Sequence, residues 1–161
     1  MLFRSELRRS EVDRYRLQPG DVVLTEGGDL DKLGRGYVWS GEVPECVHQN
    51  HVFAVRVNRS ELDPNFFSYQ AQSPYGKSYF LSVAHKTTNL ACINTTKLKA
   101  FPVLIPPLPE QKAITHTLAT VQRAIDAQER IIQTTTELKK ALMQKLFSEG
   151  LRGEPQKETE I

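Results

Sequence analysis

The stretch "FPVLIPPLPEQKAI", residues 101–114, separates two parts of the chain that differ in character. Four prolines lie between positions 102 and 109, whereas residues 110–148 contain neither proline nor glycine. Proline restricts the backbone to extended conformations, so a proline-rich step acts as a stiff spacer. A long segment without helix breakers favours one continuous helix. We therefore predict a folded domain at residues 1–105, a proline elbow at 106–109 and a long helix at 110–149.

Large apolar residues recur along the predicted helix at spacings close to the 3.5-residue period of a coiled coil. A helix of roughly 57 Å cannot bury such a seam on itself. The chain has no second helical stretch of similar length, so we expect a partner helix from another polypeptide, although Gln128 and Thr135 interrupt the seam. The residues expected to pair, which we call the seam, are Ile114, Leu118, Val121, Ile125, Ile132, Leu138, Leu142 and Leu146.

The ends of the helix carry their own signals. Pro109 suits the first helical turn, and Glu110 lies where the helix dipole favours an acid. At the other end, Gly150 can adopt the left-handed conformation that stops a helix, with Leu151 packing back on the last turn. Residues 150–161 are predicted to be a flexible tail.

The residues before the elbow predict short strands and short helices, and hence an α+β domain with a mixed sheet. A glycine-rich loop is expected at 27–36, and a polar loop at 84–94. Asp63 is the predicted N-cap of the first of two short helices. The predicted strands are 22–25, 37–39, 48–58 and 102–105, and the predicted helical segments are 63–73, 74–84 and 95–101.

Composition indicates a globular, cytoplasmic protein. Hydrophobic residues make up 39% and charged residues 25% of the 161 positions, and the net charge is +2. We find no apolar run of the ~20 residues that a membrane-spanning helix needs, and no signal-peptide pattern. Cys46 and Cys92 stand alone in the sequence, which predicts neither a zinc site nor a disulfide framework.

Motifs for catalysis are weak throughout. The glycines at 27–36 fit neither the P-loop nor the dinucleotide-binding pattern. Glu110 and Lys112 have a spacing seen in nucleases, but they lie at a predicted helix start without a nearby carboxylate. His48 and His51 lack a third ligand for a metal. We therefore predict a non-enzymatic protein without a metal or cofactor of its own.

Polar loops remain, and their side chains suit the reading of DNA bases. Amides can pair with adenine through two hydrogen bonds, and arginine can pair with guanine or phosphate. Residues 64–109 contain no acid but four lysines, which favours an anionic partner. Each residue taken singly is also explained as part of an ordinary surface turn. The predicted DNA-binding residues are Arg35, His48, Gln49, Asn50, His51, Lys77, His85, Lys86, Thr87, Thr88 and Asn89.

Several segments of the chain, taken in order, resemble a known protein family. The proline elbow, followed by Glu-Gln and a long helix, is the most specific element. The segments "RYRLQPGDVVLTEGG", "HQNHVFAVRVN", "SPYGKSYF" and "INTTKLK" occur in the matching order. Over roughly residues 14–148 the chain resembles the specificity subunits of type I restriction-modification systems.

The resemblance implies a target recognition domain that reads one half of a split double-stranded DNA sequence, followed by a spacer helix. In the family, two such helices pack antiparallel and recruit methyltransferase subunits, and through them nuclease/translocase subunits. S-adenosylmethionine and ATP would be bound by those partners, and the specificity subunit would perform no chemistry. Family members usually carry two repeats of a recognition domain followed by a spacer helix. Their recognition domains also begin well before the segment that corresponds to "RYRLQPGD". The chain is therefore expected to be a C-terminal part or a truncated half, with a recognition domain incomplete at its N-terminus.

Two other interpretations stay open. The domain can be a degenerate recognition domain that serves as a protein-interaction adaptor through its helix. Alternatively, the chain can be the recognition part of a fused restriction-methylation enzyme, which predicts catalytic motifs upstream in the gene.

Overall fold

The computed structural model describes residues 9–30, 32–49, 51–87 and 90–151. The chain divides after Thr115 into two compact units. The first unit contains the short elements and the start of the long helix, and the second contains the rest of that helix. The elements are α1 (Arg9–Tyr15), β1 (Val22–Thr25), β2 (Gly27–Asp29), β3 (Gly36–Val38), β4 (Val52–Val55), α2 (Pro64–Gln72), α3 (Pro74–Val83), β5 (His85–Lys86), β6 (Leu90–Cys92), α4 (Thr95–Lys99) and α5 (Leu108–Glu149).

The strands form two small sheets. The first has the order β3-β1-β4, with Leu24 of β1 opposite Gly36 and Phe53. The second has the order β2-β6-β5, with Gly28 opposite Ala91. The pairings described are antiparallel. The predicted α+β class with a long C-terminal helix is confirmed. The predicted mixed sheet is wrong, because the described strands pair only in antiparallel fashion.

Local sequence explains the two short helices α2 and α3. The Asp63 carboxylate accepts a hydrogen bond from the Phe66 amide at 2.9 Å, and Pro64 occupies the first turn. Ser73 ends α2 and also caps α3, because its hydroxyl accepts from the Gly76 amide at 3.3 Å. Side-chain caps of this kind satisfy amides that a helix leaves without a partner. Both predicted helices and the Asp63 cap are therefore confirmed.

The core of the first unit lies around Phe80 of α3, whose side chain is fully buried. The ring of Phe101, the first residue of the opening stretch, lies 4.9 Å from the ring of Phe80 between centroids. Gly34 faces the same ring with φ of 69°, and a Cβ there would lie 2.6 Å from Phe80 Cδ2. The other buried apolar residues of this cluster are Val22, Leu24, Leu33, Leu62, Phe66, Phe67, Ala71, Ala91 and Ile93.

The predicted strand at 102–105 is wrong, because the segment from 101 to 107 belongs to no strand. Pro102 has no N–H to give to a ladder. The Leu104 amide donates instead to Oε1 of Gln70 at 3.0 Å, while Nε2 of Gln70 donates to the Leu104 carbonyl at 3.1 Å. A side chain thus takes the place of a neighbouring strand.

Other boundaries also differ from the prediction. The strand expected at 48–58 is confined to Val52–Val55. The expected loops at 27–36 and 84–94 contain β2 and the pair β5 and β6, and α1 was not predicted. These strands have two or three residues each, which is too short to show alternation in sequence.

Helix α5 begins at Leu108, so Leu108 and Pro109 belong to the helix rather than to the predicted elbow. It ends at Glu149, and Gly150 follows with φ of 70° while donating to the Leu146 carbonyl at 3.0 Å. This is the predicted left-handed stop. The expected packing of Leu151 is wrong, since that side chain is 93% exposed. Within the predicted tail, residues 152–161 lie outside the described residues.

The seam along α5 is exposed in the single chain. Exposure of its side chains runs from 38% at Ile114 to 65% at Ile132. The pairing of this seam with another helix stays a prediction. Among the described residues, no helix is both long and apolar enough to cross a membrane.

Candidate nucleic-acid interface

Glu26 connects two of the predicted DNA-reading segments. It lies between β1 and β2, where the chain passes from the first sheet to the second. Its amide donates to the His51 carbonyl at 3.1 Å, and its carbonyl accepts from the Ile93 amide at 2.9 Å. The loop before β4 and the hairpin of β5 and β6 are therefore held on either side of one residue.

Arg35 joins the same region from the other side of β1. Its carbonyl accepts from the Thr25 amide at 2.9 Å, and its own amide donates to the Lys32 carbonyl at 3.0 Å. The Arg35 side chain is exposed. Three predicted groups that are far apart in sequence thus meet at the C-terminal end of β1. We call this region the β1 end; among the described residues it comprises Arg35, residues 48, 49 and 51 of the loop before β4, and residues 85–87 and 90–92 of the hairpin.

The 48–51 loop is fixed mainly by its backbone. The His48 amide donates to the Tyr15 carbonyl at 3.1 Å, and the two rings meet edge to face with centroids 5.4 Å apart. The Gln49 carbonyl accepts from the Val52 amide at 3.2 Å, which leaves the exposed Gln49 side chain outside this turn. The His51 side chain is 87% exposed, with Nδ1 3.8 Å from a Glu26 carboxylate oxygen. Asn50 lies outside the described residues.

The hairpin of β5 and β6 presents the second predicted group. His85 lies opposite Cys92 and Lys86 opposite Ala91. The Thr87 amide donates to the Leu90 carbonyl at 2.8 Å, which closes the hairpin. The side chains of residues 85–87 are exposed. Thr88 and Asn89 lie outside the described residues.

Lys77 is placed differently from the other predicted residues. It lies in α3, where its amide donates to the Ser73 carbonyl at 2.9 Å. Its side chain is exposed. Among the described residues, no hydrogen bond or ion pair joins it to the β1 end. The structure therefore does not group Lys77 with the loops.

A concave surface borders the 48–51 loop. This open cleft of about 630 Å³ runs along β4, with α4 and the segment near Phe101 on its other side. Tyr15, Glu26 and His48 line one end, and Arg56 and Lys99 also contribute. The β1 end thus adjoins a cleft whose lining is largely apolar, with cationic side chains from Arg56 and Lys99.

Sequence reasoning missed an ion pair at the other end of β1, between a buried carboxylate and a half-exposed arginine. Asp21 is almost fully buried, and Arg56 donates to its two carboxylate oxygens at 2.8 and 2.7 Å. The Gln18 amide donates to the same carboxylate at 2.8 Å. Burial raises the pKa of Asp21, but the hydrogen bonds and charge of Arg56, with the Gln18 amide, outweigh it and leave the pKa below its ordinary value. This pair fixes the turn before β1 against the residue after β4.

These contacts define a class of protein: a small α+β domain with polar loops gathered at one sheet end, followed by a single long helix. Residues 9–137 match the family described as Type I restriction modification DNA specificity domain, and the chain belongs to this family. The resemblance seen in the sequence is confirmed.

Individual relatives agree with the family match. The chain is 26% identical over 146 residues to a Methanocaldococcus jannaschii protein described as the type I restriction enzyme MjaX specificity subunit. It is 24% identical over 152 residues to the StySPI specificity subunit of Salmonella potsdam, and 25% identical over 154 residues to the EcoKI specificity subunit of Escherichia coli K12. These alignments cover 91%, 92% and 92% of the chain but only 34%, 32% and 32% of the relatives. The chain thus spans about a third of their length.

Proposed function

We propose that the chain is a DNA sequence-specificity module of a type I restriction-modification system, and that the β1 end reads one half of a bipartite target. The observation that carries the proposal is the double backbone tie at Glu26, which brings the 48–51 loop and the hairpin at 85–92 together. Exposed imidazole, amide and lysine groups on two neighbouring loops suit contacts with base edges and phosphates.

In this proposal α5 serves assembly. The exposed seam pairs with the helix of a second copy or of a second half-subunit, so that two recognition domains serve two half-sites. The same helices recruit methyltransferase subunits, and through them nuclease/translocase subunits. Those partners bind S-adenosylmethionine and ATP, and the chain itself performs no catalysis.

The proposal is tested by DNA binding in the presence of the methyltransferase subunit. Duplexes selected from a random library should share two short sequence blocks, and binding should weaken steeply as salt rises. Gln49→Ala should relax base preference at one position, since a bidentate base contact is worth about 1–3 kcal/mol. Lys86→Ala should weaken binding to all sequences and flatten the salt dependence.

Lys140→Ala is the matched control for Lys86→Ala, because Lys140 is an exposed lysine on α5 and the change in charge is the same. It should leave the selected sequences and the affinity unchanged. A library that yields no common sequence with the wild-type chain would refute the specificity role.

The exposed seam also favours a second candidate, an adaptor that works only through α5. An adaptor would assemble with the partner subunits as the wild type does, while Lys86→Ala and Gln49→Ala would change nothing in DNA binding. Size-exclusion chromatography alongside the binding assay therefore separates the two functions.

A further inference from the structure

The extended segment at 102–106 is held by side chains at every second residue. The Tyr75 hydroxyl donates to the Pro102 carbonyl at 2.8 Å, and the Gln70 amide brackets Leu104. Nε2 of Gln111 donates to the Pro106 carbonyl at 2.7 Å. Alternate carbonyls of an extended chain point the same way, so one row of side chains can bind them in succession.

Gln111 is the last member of this row, and both its side-chain nitrogen and its side-chain oxygen are hydrogen-bonded. Its side chain is fully buried at 0% exposure, although it is polar and lies on a helix. Besides Pro106, Nε2 donates to the Glu61 carbonyl at 2.8 Å, and Oε1 accepts from the Asp63 amide at 2.8 Å. One amide thus joins the first turn of α5, the proline segment and the N-cap residue of α2.

The chemistry of this contact requires glutamine. Two carbonyl oxygens need donors and one amide needs an acceptor, and a carboxamide supplies both on one planar group. Glutamate has the same shape, but its carboxylate would face two carbonyl oxygens with no proton to give. Alanine would remove the hydrogen-bond partner of three part-buried backbone groups, the Asp63 amide and the Glu61 and Pro106 carbonyls.

We propose that Gln111 is a positioning residue that fixes the first turns of α5 to the recognition domain and thereby sets the separation of the two DNA half-sites. The inference rests on the proposed function, because only a bipartite target makes that separation measurable. Tyr75 and Gln70 hold the preceding segment, so that Gln111 meets its partners in one register.

The first test is local and needs no DNA. In Gln111→Ala, amide hydrogen exchange should accelerate about tenfold or more at Asp63, which loses its acceptor, and in residues 108–115. Protection in β1 (Val22–Thr25) should be unchanged. Loss of protection throughout the domain, β1 included, would show a general folding role and overturn the inference.

The second test repeats the selection from a random DNA library with the full chain and the methyltransferase subunit. The wild type should select two sequence blocks at one spacing, whereas Gln111→Glu should select the same blocks at several spacings. Gln70→Ala removes a half-buried member of the row and should likewise select the blocks at several spacings. This variant keeps the test decisive if Gln111→Glu does not fold.

Gln144→Glu is the matched control, since Gln144 is an exposed residue of the same helix and undergoes the same change in charge. It should keep the wild-type spacing. A single, unchanged spacing in the Gln111 and Gln70 variants would overturn the positioning role. If the wild type selects no common sequence, the proposed function fails instead, and the exchange result still decides whether Gln111 holds α5.

Discussion

Helix α5 and the domain before it follow opposite rules of burial. In the domain, the most deeply buried large side chains include Phe80, Leu24 and Leu33. In α5, the one buried residue among 42 is polar, Gln111, while isoleucines and leucines along the seam are exposed. Apolar burial stabilises the domain from within the single chain, whereas the same residue types on α5 gain stability only when a partner covers them.

The largest expected effect tests the domain, whose apolar core is buried within the single chain. Phe80→Ala removes a fully buried ring that packs against Phe101. It should lower the free energy of unfolding by about 4 kcal/mol. Phe147→Ala removes the same group from α5, where it is 80% exposed, and should change stability by less than about 0.5 kcal/mol. Urea unfolding of the two variants checks this, and equal effects would break the contrast.

A smaller effect tests the seam of α5, which we expect a partner helix to cover. Ile125→Lys places a charge in the seam, so self-association or binding to a partner helix should weaken about 100-fold. Gln133→Lys is the control, because Gln133 lies off the seam and already donates from Nε2 to the Glu137 carboxylate at 3.0 Å, so a lysine there would face an acid. Sedimentation equilibrium measures the association. A wild-type chain that stays monomeric at high concentration, also with the methyltransferase subunit, would contradict the pairing of α5.

The ion pair of Asp21 and Arg56 adds a test of the domain's stability that depends on pH. Because the pKa of Asp21 is lowered on folding, its stabilising contribution is present above its ordinary value of 3.8 and is lost as pH falls below it. Asp21→Asn should therefore cost about 2 kcal/mol at pH 7 and progressively less below pH 4. Thermal unfolding across pH measures the difference between variant and wild type.

The control for Asp21→Asn is Glu137→Gln, an equal change in charge at an exposed hydrogen bond on α5. It should cost less than about 0.5 kcal/mol at every pH. A cost for Asp21→Asn that does not depend on pH would show that the carboxylate charge is unimportant there.

The smallest expected effect lies at the end of α5. Gly150→Ala forces a residue with a Cβ into φ of 70°, which costs about 1 kcal/mol and should fray only the last turn. Gly150→Asn should be milder, because asparagine tolerates this conformation better. Amide exchange at residues 145–149 measures the fraying. A shift in the unfolding of the whole domain would contradict a purely local role.

Sequence alone predicted the elements whose signals are local. The Asp63-Pro64 pair marked the start of α2, and the absence of breakers marked α5 to within two residues at its start. The strand at 102–105 was mispredicted because "PVLI" has strand-forming residues. Its hydrogen bonds go to distant side chains such as Gln70, which no local pattern reveals.

For the candidate site, too, the sequence predicted the local features but not the long-range contacts. Residue types suggested which loops carry recognition chemistry, and the structure brings Arg35, the 48–51 loop and the hairpin of β5 and β6 to one sheet end. Their meeting depends on Glu26 bonding to residues 25 and 67 positions further along the chain, a long-range contact that sequence spacing does not encode. The Asp21–Arg56 pair was missed for the same reason.

The ties at Glu26 have a practical consequence, because they are made by main-chain atoms alone. Any amino acid other than proline offers the same N–H and C=O, so these two ties do not depend on which exposed side chains the neighbouring loops display. Under the proposed function, exchanging residues at positions such as 49 and 86 would change base preference while keeping both backbone ties, so the β1 end is a suitable place to redesign target preference.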